Sequence, residues 1–433
     1  MRFIITGGKP LAGTVVVRGA KNAATKMMIA ALLSPEPIRL ENFPFIGDTD
    51  ITAELCKTFG ADVSYDQRAG TATMVTPTIT NVQAMNLTRR NRIPILALGP
   101  LLARAGEAIV PIVGGDKIGP RPVDLHLDAL RALGAHIEEY ADRYEARAPH
   151  GLSGARINFK FPSVGATENA LLASVLARGT TTITNAALEP EVIDLIKLLQ
   201  KMGAIIGLGS GRIIVVEGVP ALHSARHRIL PDRNEAVSFG VLGVAARGPV
   251  QVKGATQGHL MTFLNTIRKI GGNYEVQDDG IVFSGEAPLK AVEVETDAHP
   301  GFMTDWQQPL SVVLTQANGV SVVHETIYED RFGYADDLNA MGARITTFTK
   351  CLGELPCRFS GMGLKHSAVI HGPTPLTGST MHVRDLRSGM AHVIAALLAR
   401  GTSVIEGVEE IDRGYEKLDE RLRALGADIS REA

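Results

Sequence analysis

The chain has 433 residues, of which 45% are hydrophobic and 5% aromatic, and its 44 Lys and Arg against 46 Asp and Glu leave a formal net charge of −2. That length exceeds what one hydrophobic core usually holds, so more than one domain is expected. The near balance of charge argues against nucleic acid or an anionic membrane as principal partner, so any anion site must be local.

Arg2–Arg18 reads as a β segment. A helix then opens at Lys21-Asn22 and stops at Ser34-Pro35, and a second ends in the phrase Cys56–Val63, where apolar residues at helical spacing give way to Gly60-Ala61 and another apolar residue. The same pair of helices returns five times. Its first helix opens near Arg92, Ser163-Val164-Gly165, Asp232-Arg233, Asp305 and Arg387. It closes at Ala105-Gly106, Arg178-Gly179, Arg247-Gly248, Asn318-Gly319 and Arg400-Gly401. The closing phrases are Leu130–Ile137, Leu199–Ile206, Ile267–Tyr274, Leu338–Ile345 and Leu422–Ile429.

The first glycines of the six phrases, Gly60, Gly134, Gly203, Gly271, Gly342 and Gly426, lie 74, 69, 68, 71 and 84 residues apart by subtraction. This is a sixfold repeat of two helices and several strands, in which each glycine is expected to take a left-handed helix cap. Units of this size bury their apolar faces against one another. Six divide naturally into two domains of three: residues 21–229, and residues 1–20 plus 230–433 with the N-terminal strand pairing into the second. The crossing is expected near Arg228–Arg233. The long last spacing puts a surplus in Phe348–Pro375, expected as a solvated loop.

The longest apolar stretches, such as Ile93–Ala103, fall short of the ~20 residues a membrane helix needs, and Met1–Gly8 has no long apolar signal core. A cytoplasmic protein without a membrane partner is expected. Cys56, Cys351 and Cys357 are an odd number without zinc-like spacing, so neither a disulfide framework nor a metal is expected, and Cys351 and Cys357 read as loop residues.

The six first helices open on polar or charged residues. A helix N-terminus offers free N–H groups and the positive end of its dipole, so several aimed at one cleft make a receptor for phosphate and carboxylate groups. Taken singly, each of these residues has a plainer reading as a cap or a solvated surface charge.

The strings GAKNA (Gly19–Ala23), LALGPLLAR (Leu96–Arg104), GGDKIGPRPVDLH (Gly114–His126), SVGATEN (Ser163–Asn169), LPDR (Leu230–Arg233), HPGFMTD (His299–Asp305), EDRF (Glu329–Phe332) and IDRGYEKL (Ile411–Leu418) resemble the UDP-N-acetylglucosamine enolpyruvyl transferases. The resemblance spans the first strand to the last repeat. It implies a two-domain inside-out α/β barrel, three repeats per domain with helices inside and sheets outside, and an active site in the cleft between the domains. It also implies transfer of the enolpyruvyl group of phosphoenolpyruvate to the 3-hydroxyl of UDP-N-acetylglucosamine, the first committed step of peptidoglycan synthesis, with no cofactor.

By the same resemblance Lys21 and Asn22 match phosphoenolpyruvate contacts, and Arg121, Arg331, Arg387 and Arg413 match the cationic groups around that substrate. The planar guanidinium fork suits phosphate and carboxylate alike. Arg92 matches a residue assigned to the sugar nucleotide. Arg121, Pro122, Val123, Asp124 and Leu125 resemble the uridine-binding segment, and Ser163, Val164 and Gly165 the helix start that meets the diphosphate. Asp305 matches the carboxylate beside the acceptor hydroxyl. Ile327 matches a contact to the nucleotide sugar, although an isoleucine in a strand is usually core. Phe161 stands where some relatives have a lysine, which shifts nucleotide binding toward backbone donors.

The reaction needs a proton on C3 of phosphoenolpyruvate while the sugar oxygen attacks C2. The resemblance assigns that acid to Asp116, where most relatives carry cysteine and a minority aspartate. Lid closure and bound substrate would raise its pKa, whereas Lys117 and Arg121 would lower it, and the sequence leaves that balance open. Gly114, Gly115, Gly119, Pro120 and Pro122 suit a loop that swings. A carboxylate is a much poorer nucleophile than a thiolate, so the chain is expected to resist fosfomycin, which alkylates the family's cysteine. The rivals are enolpyruvyl transfer to shikimate 3-phosphate or to another uridine nucleotide, and a catalytically silent UDP-sugar-binding paralogue.

Overall fold

All six repeat glycines lie in the left-handed region in the computed structural model: φ is 102° at Gly60, 98° at Gly134, 106° at Gly203, 83° at Gly271, 106° at Gly342 and 97° at Gly426. In five copies the alanine after the glycine donates its N–H to the carbonyl of the residue that opens the phrase, as from Ala61 to Cys56 (3.1 Å), Ala204 to Leu199 (2.9 Å) and Ala427 to Leu422 (3.0 Å). That bond closes a Schellman turn, and it is why the phrase has a fixed length. The structure describes residues 1–85, 87, 91–112, 114, 119, 122–246, 248–285, 288–355 and 357–433.

The chain divides into two units, one of Met1–Arg18 and Pro231–Ala433, the other of residues 19–114 and Pro122–Leu230. Each has its own hydrophobic core. In the second, the first helices of three repeats, Lys21–Ala30, Pro94–Ala105 and Val164–Ser174, lie in the interior, and every residue from Pro94 to Leu102 is buried. In the first, Arg233–Ala245, Gln307–Leu314 and Leu386–Leu398 play that part, with Arg233–Val244 buried throughout. A helix without an exposed face belongs inside. The second helices of the repeats are amphipathic instead, as in Pro190–Lys201, where Lys197, Gln200 and Lys201 keep contact with solvent.

Each repeat closes on a small sheet. In the third, Arg156–Asn158 runs parallel to Thr180–Thr184, which pairs antiparallel with Ile213–Glu217, and that strand with Ile205–Gly209. The strands alternate buried and exposed residues, one face toward the helices and one toward solvent. Ala225–Arg228 returns to run parallel to Ile38–Glu41, so the end of the third repeat completes the sheet of the first.

The N-terminal segment makes two strands where one was expected. Arg2–Thr6 pairs with Thr402–Glu406 and Asp428–Glu432, and Gly13–Val16 with Val250–Lys253. The break falls at Gly7, where a Cβ would collide with the carbonyls of Ala396 and Ala399.

The connection in the fifth repeat is mostly exposed, as expected of a solvated loop, but it carries buried anchors and ends before the expected Phe348–Pro375 span does. Its counterparts are tight turns at residues 67–70, 140–142, 210–212 and 278–279, whereas residues 349–366 join Arg344–Phe348 to Ser367–Gly372. Phe359 (2% exposed) and His366 (0%) are core residues, and Ser367–Gly372 is a regular strand beside Gly319–His324. Among the described residues no helix is long and apolar enough to cross a membrane.

Candidate active site

Asp305 sits in the short 3-10 turn Thr304–Trp306 that opens the fifth repeat's first helix. The turn is held from behind: Trp306 Nε1 donates to Asn234 Oδ1 (2.9 Å), which turns the Asn234 amide nitrogen toward Asp305 Oδ2 (3.3 Å). Arg331 donates to Asp305 Oδ1 (2.6 Å), and Arg387 Nε to Oδ2 (3.2 Å). Their side chains are 3% and 5% exposed, against 15% for Asp305, so the triad is nearly dry.

Each arginine has a second hold. Arg331 also reaches Gln308 Oε1 (3.4 Å), and Arg387 donates to the Tyr415 hydroxyl (3.0 Å), which is paired with Ser238 (2.8 Å). Burial works to lower the Arg331 pKa, but Asp305, then Asp385 and Glu325, hold it above the ordinary value. At Arg387 burial is likewise outweighed, by Tyr415, then Asp305 and Asp232. Both guanidiniums therefore stay charged. Arg331 Nε is buried without a hydrogen-bond partner among the described residues. Such a donor suits an anionic guest.

Arg387 lies in the first turn of Leu386–Leu398, whose N-cap Asp385 accepts from the N–H groups of Arg387 (3.0 Å) and Ser388 (3.1 Å). Arg413 caps the short helix Glu409–Asp412 and reaches Glu410 (2.6 Å). Ile327 is not in a strand: it follows Gly319–His324 in a half-buried loop, where its N–H donates to Glu325 Oε1 (2.8 Å). Gly119, with φ of 117°, lies where a Cβ would be 2.5 Å from Glu329 Oε2, so this place admits only glycine.

In the other unit Lys21 opens its helix and pairs with Asp48 (2.9 Å), both largely buried. Asn22 and Arg92 are half-buried. Ser163 caps Val164–Ser174, its hydroxyl accepting from Ala166 N (3.4 Å). A Cβ on Gly165 would lie 2.9 Å from His126 Cε1, so the glycine lets that helix start close upon the imidazole. His126 Nδ1 meets the Asn169 amide nitrogen (3.3 Å), and that amide also donates to the Ile95 carbonyl (3.0 Å). Burial first and Arg92 second push the His126 pKa down to about 3, so the ring is neutral. Pro122 is exposed. Val123 caps Asp124–Ala132, Asp124 is exposed in its first turn, and Leu125 is buried. Asp116, Lys117 and Arg121, with Gly115 and Pro120, lie outside the described residues.

The structure thus brings together Asp305 and Arg387, both at repeat helix starts, and Arg331, which only the resemblance had singled out. It adds Asn234, Ser238, Gln308 and Tyr415, to which no role attached in the sequence. Their signal was weak, because each is a polar residue inside an otherwise apolar helix or a string read only as a family mark. A fixed carboxylate between two buried cations can orient a hydroxyl placed beside it or take its proton.

A family model described as EPSP synthase (3-phosphoshikimate 1-carboxyvinyltransferase) matches residues 5–422. The structure is similar to the enolpyruvyl transferase NikO from Streptomyces tendae, with a TM-score of 0.87 and 26% identity, covering 99% of this chain and 98% of that one. EPSP synthase from Acinetobacter baumannii shares the fold at 18% identity, with a TM-score of 0.73 over 99% of this chain and 100% of that one. Fold and site together define the class, the α/β enolpyruvyl transferases. Within it, the UDP-N-acetylglucosamine 1-carboxyvinyltransferase of Protochlamydia amoebophila is 48% identical over 98% of this chain and 93% of its own length. That of Chlamydia pneumoniae is also 48% identical, over 97% and 92%. The chain belongs to the UDP-N-acetylglucosamine 1-carboxyvinyltransferase family.

Proposed function

We propose that this chain transfers the enolpyruvyl group of phosphoenolpyruvate to the 3-hydroxyl of UDP-N-acetylglucosamine and releases phosphate, the first committed step of peptidoglycan synthesis. The observation that carries the reading is the dry triad of Asp305 with Arg331 and Arg387, in a chain 48% identical over nearly its full length to proteins of that name.

The acceptor hydroxyl attacks C2 of phosphoenolpyruvate while C3 gains a proton. The tetrahedral adduct then loses a proton from C3 and phosphate from C2, which restores the alkene on the sugar oxygen. Asp305 orients the hydroxyl and takes its proton. Asp116 protonates C3. Lys21, Asn22, Arg121, Arg331, Arg387 and Arg413 neutralise the donor's carboxylate and phosphate, and Lys21 and Arg413 assist the departing phosphate as fixed positive charges. Arg92 and Pro122–Leu125 hold the nucleotide, and the N–H groups at Ser163–Gly165 meet its diphosphate at a helix start. Ile327 packs on the sugar. Both substrates are small and highly charged, and the reaction belongs in the cytoplasm.

The test is release of inorganic phosphate by the purified protein with phosphoenolpyruvate and each of three acceptors. UDP-N-acetylglucosamine is expected to support turnover, and UMP and shikimate 3-phosphate are not. Release with shikimate 3-phosphate alone, or with none of the three, overturns the reading.

A further inference from the structure

The long connection of the fifth repeat brings four side chains from distant parts of the sequence to one point. His324 ends the strand Gly319–His324, Cys351 and Cys357 lie in the connection, and His366 precedes the strand Ser367–Gly372. One donor atom from each lies within 4.8 Å of every other, and Cys351 Sγ is 3.3 Å from His366 Nε2. A tetrahedron of zinc–sulfur and zinc–nitrogen bonds, about 2.0–2.3 Å long, has edges of roughly 3.3–3.8 Å. The antiparallel pairing of His324 with Ser367 fixes two corners by backbone register.

Both imidazoles are set to offer the same nitrogen. His366 Nδ1 faces the Leu364 carbonyl (2.6 Å), which only accepts, so this nitrogen carries the proton and Nε2 has a free lone pair. His324 Nδ1 faces Glu295 Oε2 (3.0 Å), with the same consequence. The N–H groups of Glu354 and Leu355 donate to the Glu295 oxygens at 2.9 Å each, which fixes the carboxylate that faces His324. Imidazoles oriented through Nδ1 by a carboxylate or a carbonyl are the usual outer shell of a metal site. Gly353 permits the approach, because a Cβ there would collide with Glu295 Oε2 and His324 Nδ1.

Hydrogen bonding alone leaves this arrangement incomplete. A Cys351 thiol donating to His366 satisfies one pair, yet His324 Nε2, in a side chain with no solvent exposure, has no hydrogen-bond partner among the described residues. An orphan of that kind costs about 1–3 kcal/mol. We propose that His324 Nε2, Cys351 Sγ, Cys357 Sγ and His366 Nε2 form a closed tetrahedral site for one zinc ion. Two thiols give up their protons to solvent on binding, and two thiolates neutralise the dication, so the buried site carries no net charge. Cys2His2 in tetrahedral array selects zinc among the common divalent metals, and four protein ligands leave no position for substrate or water.

The site is therefore structural, and what it braces bears on the chemistry. Glu325 N donates to the His366 carbonyl (2.8 Å), and the Arg358 guanidinium, next to Cys357, donates to the Ile327 carbonyl. The metal ties the long connection to the loop that runs from His324 through Ile327 to Arg331.

Elemental analysis of the full chain, produced with zinc in the medium and purified without chelator, is expected to give one equivalent of zinc, and Cys351→Ser with Cys357→Ser to lose it. Should that variant fail to fold, native protein stripped by chelator and titrated with cobalt(II) supplies the second readout. A tetrahedral d–d spectrum with a thiolate-to-cobalt charge-transfer band, displaced by zinc, is expected, with a melting temperature that rises on reloading. Metal-free protein from zinc-replete cells, an octahedral cobalt spectrum, or a Cys351–Cys357 disulfide in protein purified anaerobically overturns the proposal.

Discussion

Replacing Asp305 by asparagine keeps the shape of the side chain and removes its charge. Asp305 accepts from Arg331 at 2.6 Å, Arg387 at 3.2 Å and Asn234 at 3.3 Å, and the two guanidiniums are 3% and 5% exposed. An asparagine oxygen can stand in for only one of the two carboxylate oxygens, and its NH2 group then faces a guanidinium with donor against donor. Leaving buried cations without their counter-charge costs about 3–5 kcal/mol, a large share of the ~5–15 kcal/mol typical of a folded domain. For a unit of this size that corresponds to a fall of roughly 6–20 °C in melting temperature. Arg331→Gln alone is expected to be destabilising as well. The double variant should lose less than the sum by ~1–3 kcal/mol, because the second change removes a cation the first left unpaired. Turnover at a temperature where Asp305→Asn is folded is expected to drop ~10²–10⁴-fold. The assays are thermal unfolding of the four proteins and steady-state phosphate release. Additive losses, or Asp305→Asn with an unchanged melting temperature and full activity, would show that Asp305 is not the counter-charge of the two guanidiniums.

Glu168 is fully buried with neither oxygen hydrogen-bonded among the described residues, Lys26 Nζ being 3.9 Å away, and burial chiefly raises its pKa from 4.5 to about 7. Its contribution is complete below pH 4.5 and lost as pH climbs through 7, so Glu168→Gln should stabilise by ~3 kcal/mol at pH 8 and hardly at pH 4. Melting curves that show equal effects at both pH values would count against this. His126 runs the other way: neutral in the fold but protonated below about 6.5 when unfolded, it removes stability as pH falls from 6.5 toward 3, by up to ~1.4 kcal/mol per pH unit. His126→Gln should flatten that acid limb in urea titrations, and an unaltered slope would exclude His126 as its source. Asp116→Ala should abolish turnover while sparing UDP-N-acetylglucosamine binding by calorimetry, and an active variant removes Asp116 from the mechanism. Fosfomycin should leave the protein active, whereas time-dependent loss of activity with an adduct on Asp116 contradicts the poor nucleophilicity assigned to a carboxylate there.

What the sequence discloses follows from how local the cause is. The six glycines were legible because a left-handed cap with a Cβ is strained, so the residue type reports its own backbone angle. Lys21, Ser163, Asp305 and Arg387 were legible as helix starts because capping and dipole effects act within one turn. The N-terminal strand read as single because the collision that breaks it at Gly7 involves carbonyls from the far end of the sequence, at Ala396 and Ala399. The cysteine pair and its histidines were illegible for the same reason. Their meeting depends on strand register between Gly319–His324 and Ser367–Gly372, which no spacing of Cys351 and Cys357 encodes. Asn234 and Tyr415 act on Asp305 only through the packing of separate repeats, so their polarity alone announced nothing.

Mass spectrometry of the nucleotide product reports on the transfer itself. After incubation of the purified protein with phosphoenolpyruvate and UDP-N-acetylglucosamine, the nucleotide is expected to be enlarged by one enolpyruvyl group in ether linkage at the 3-oxygen, with one phosphate released per transfer. Recovery of the nucleotide unchanged by folded protein, or the group carried on another oxygen, would rule out enolpyruvyl transfer to the 3-hydroxyl.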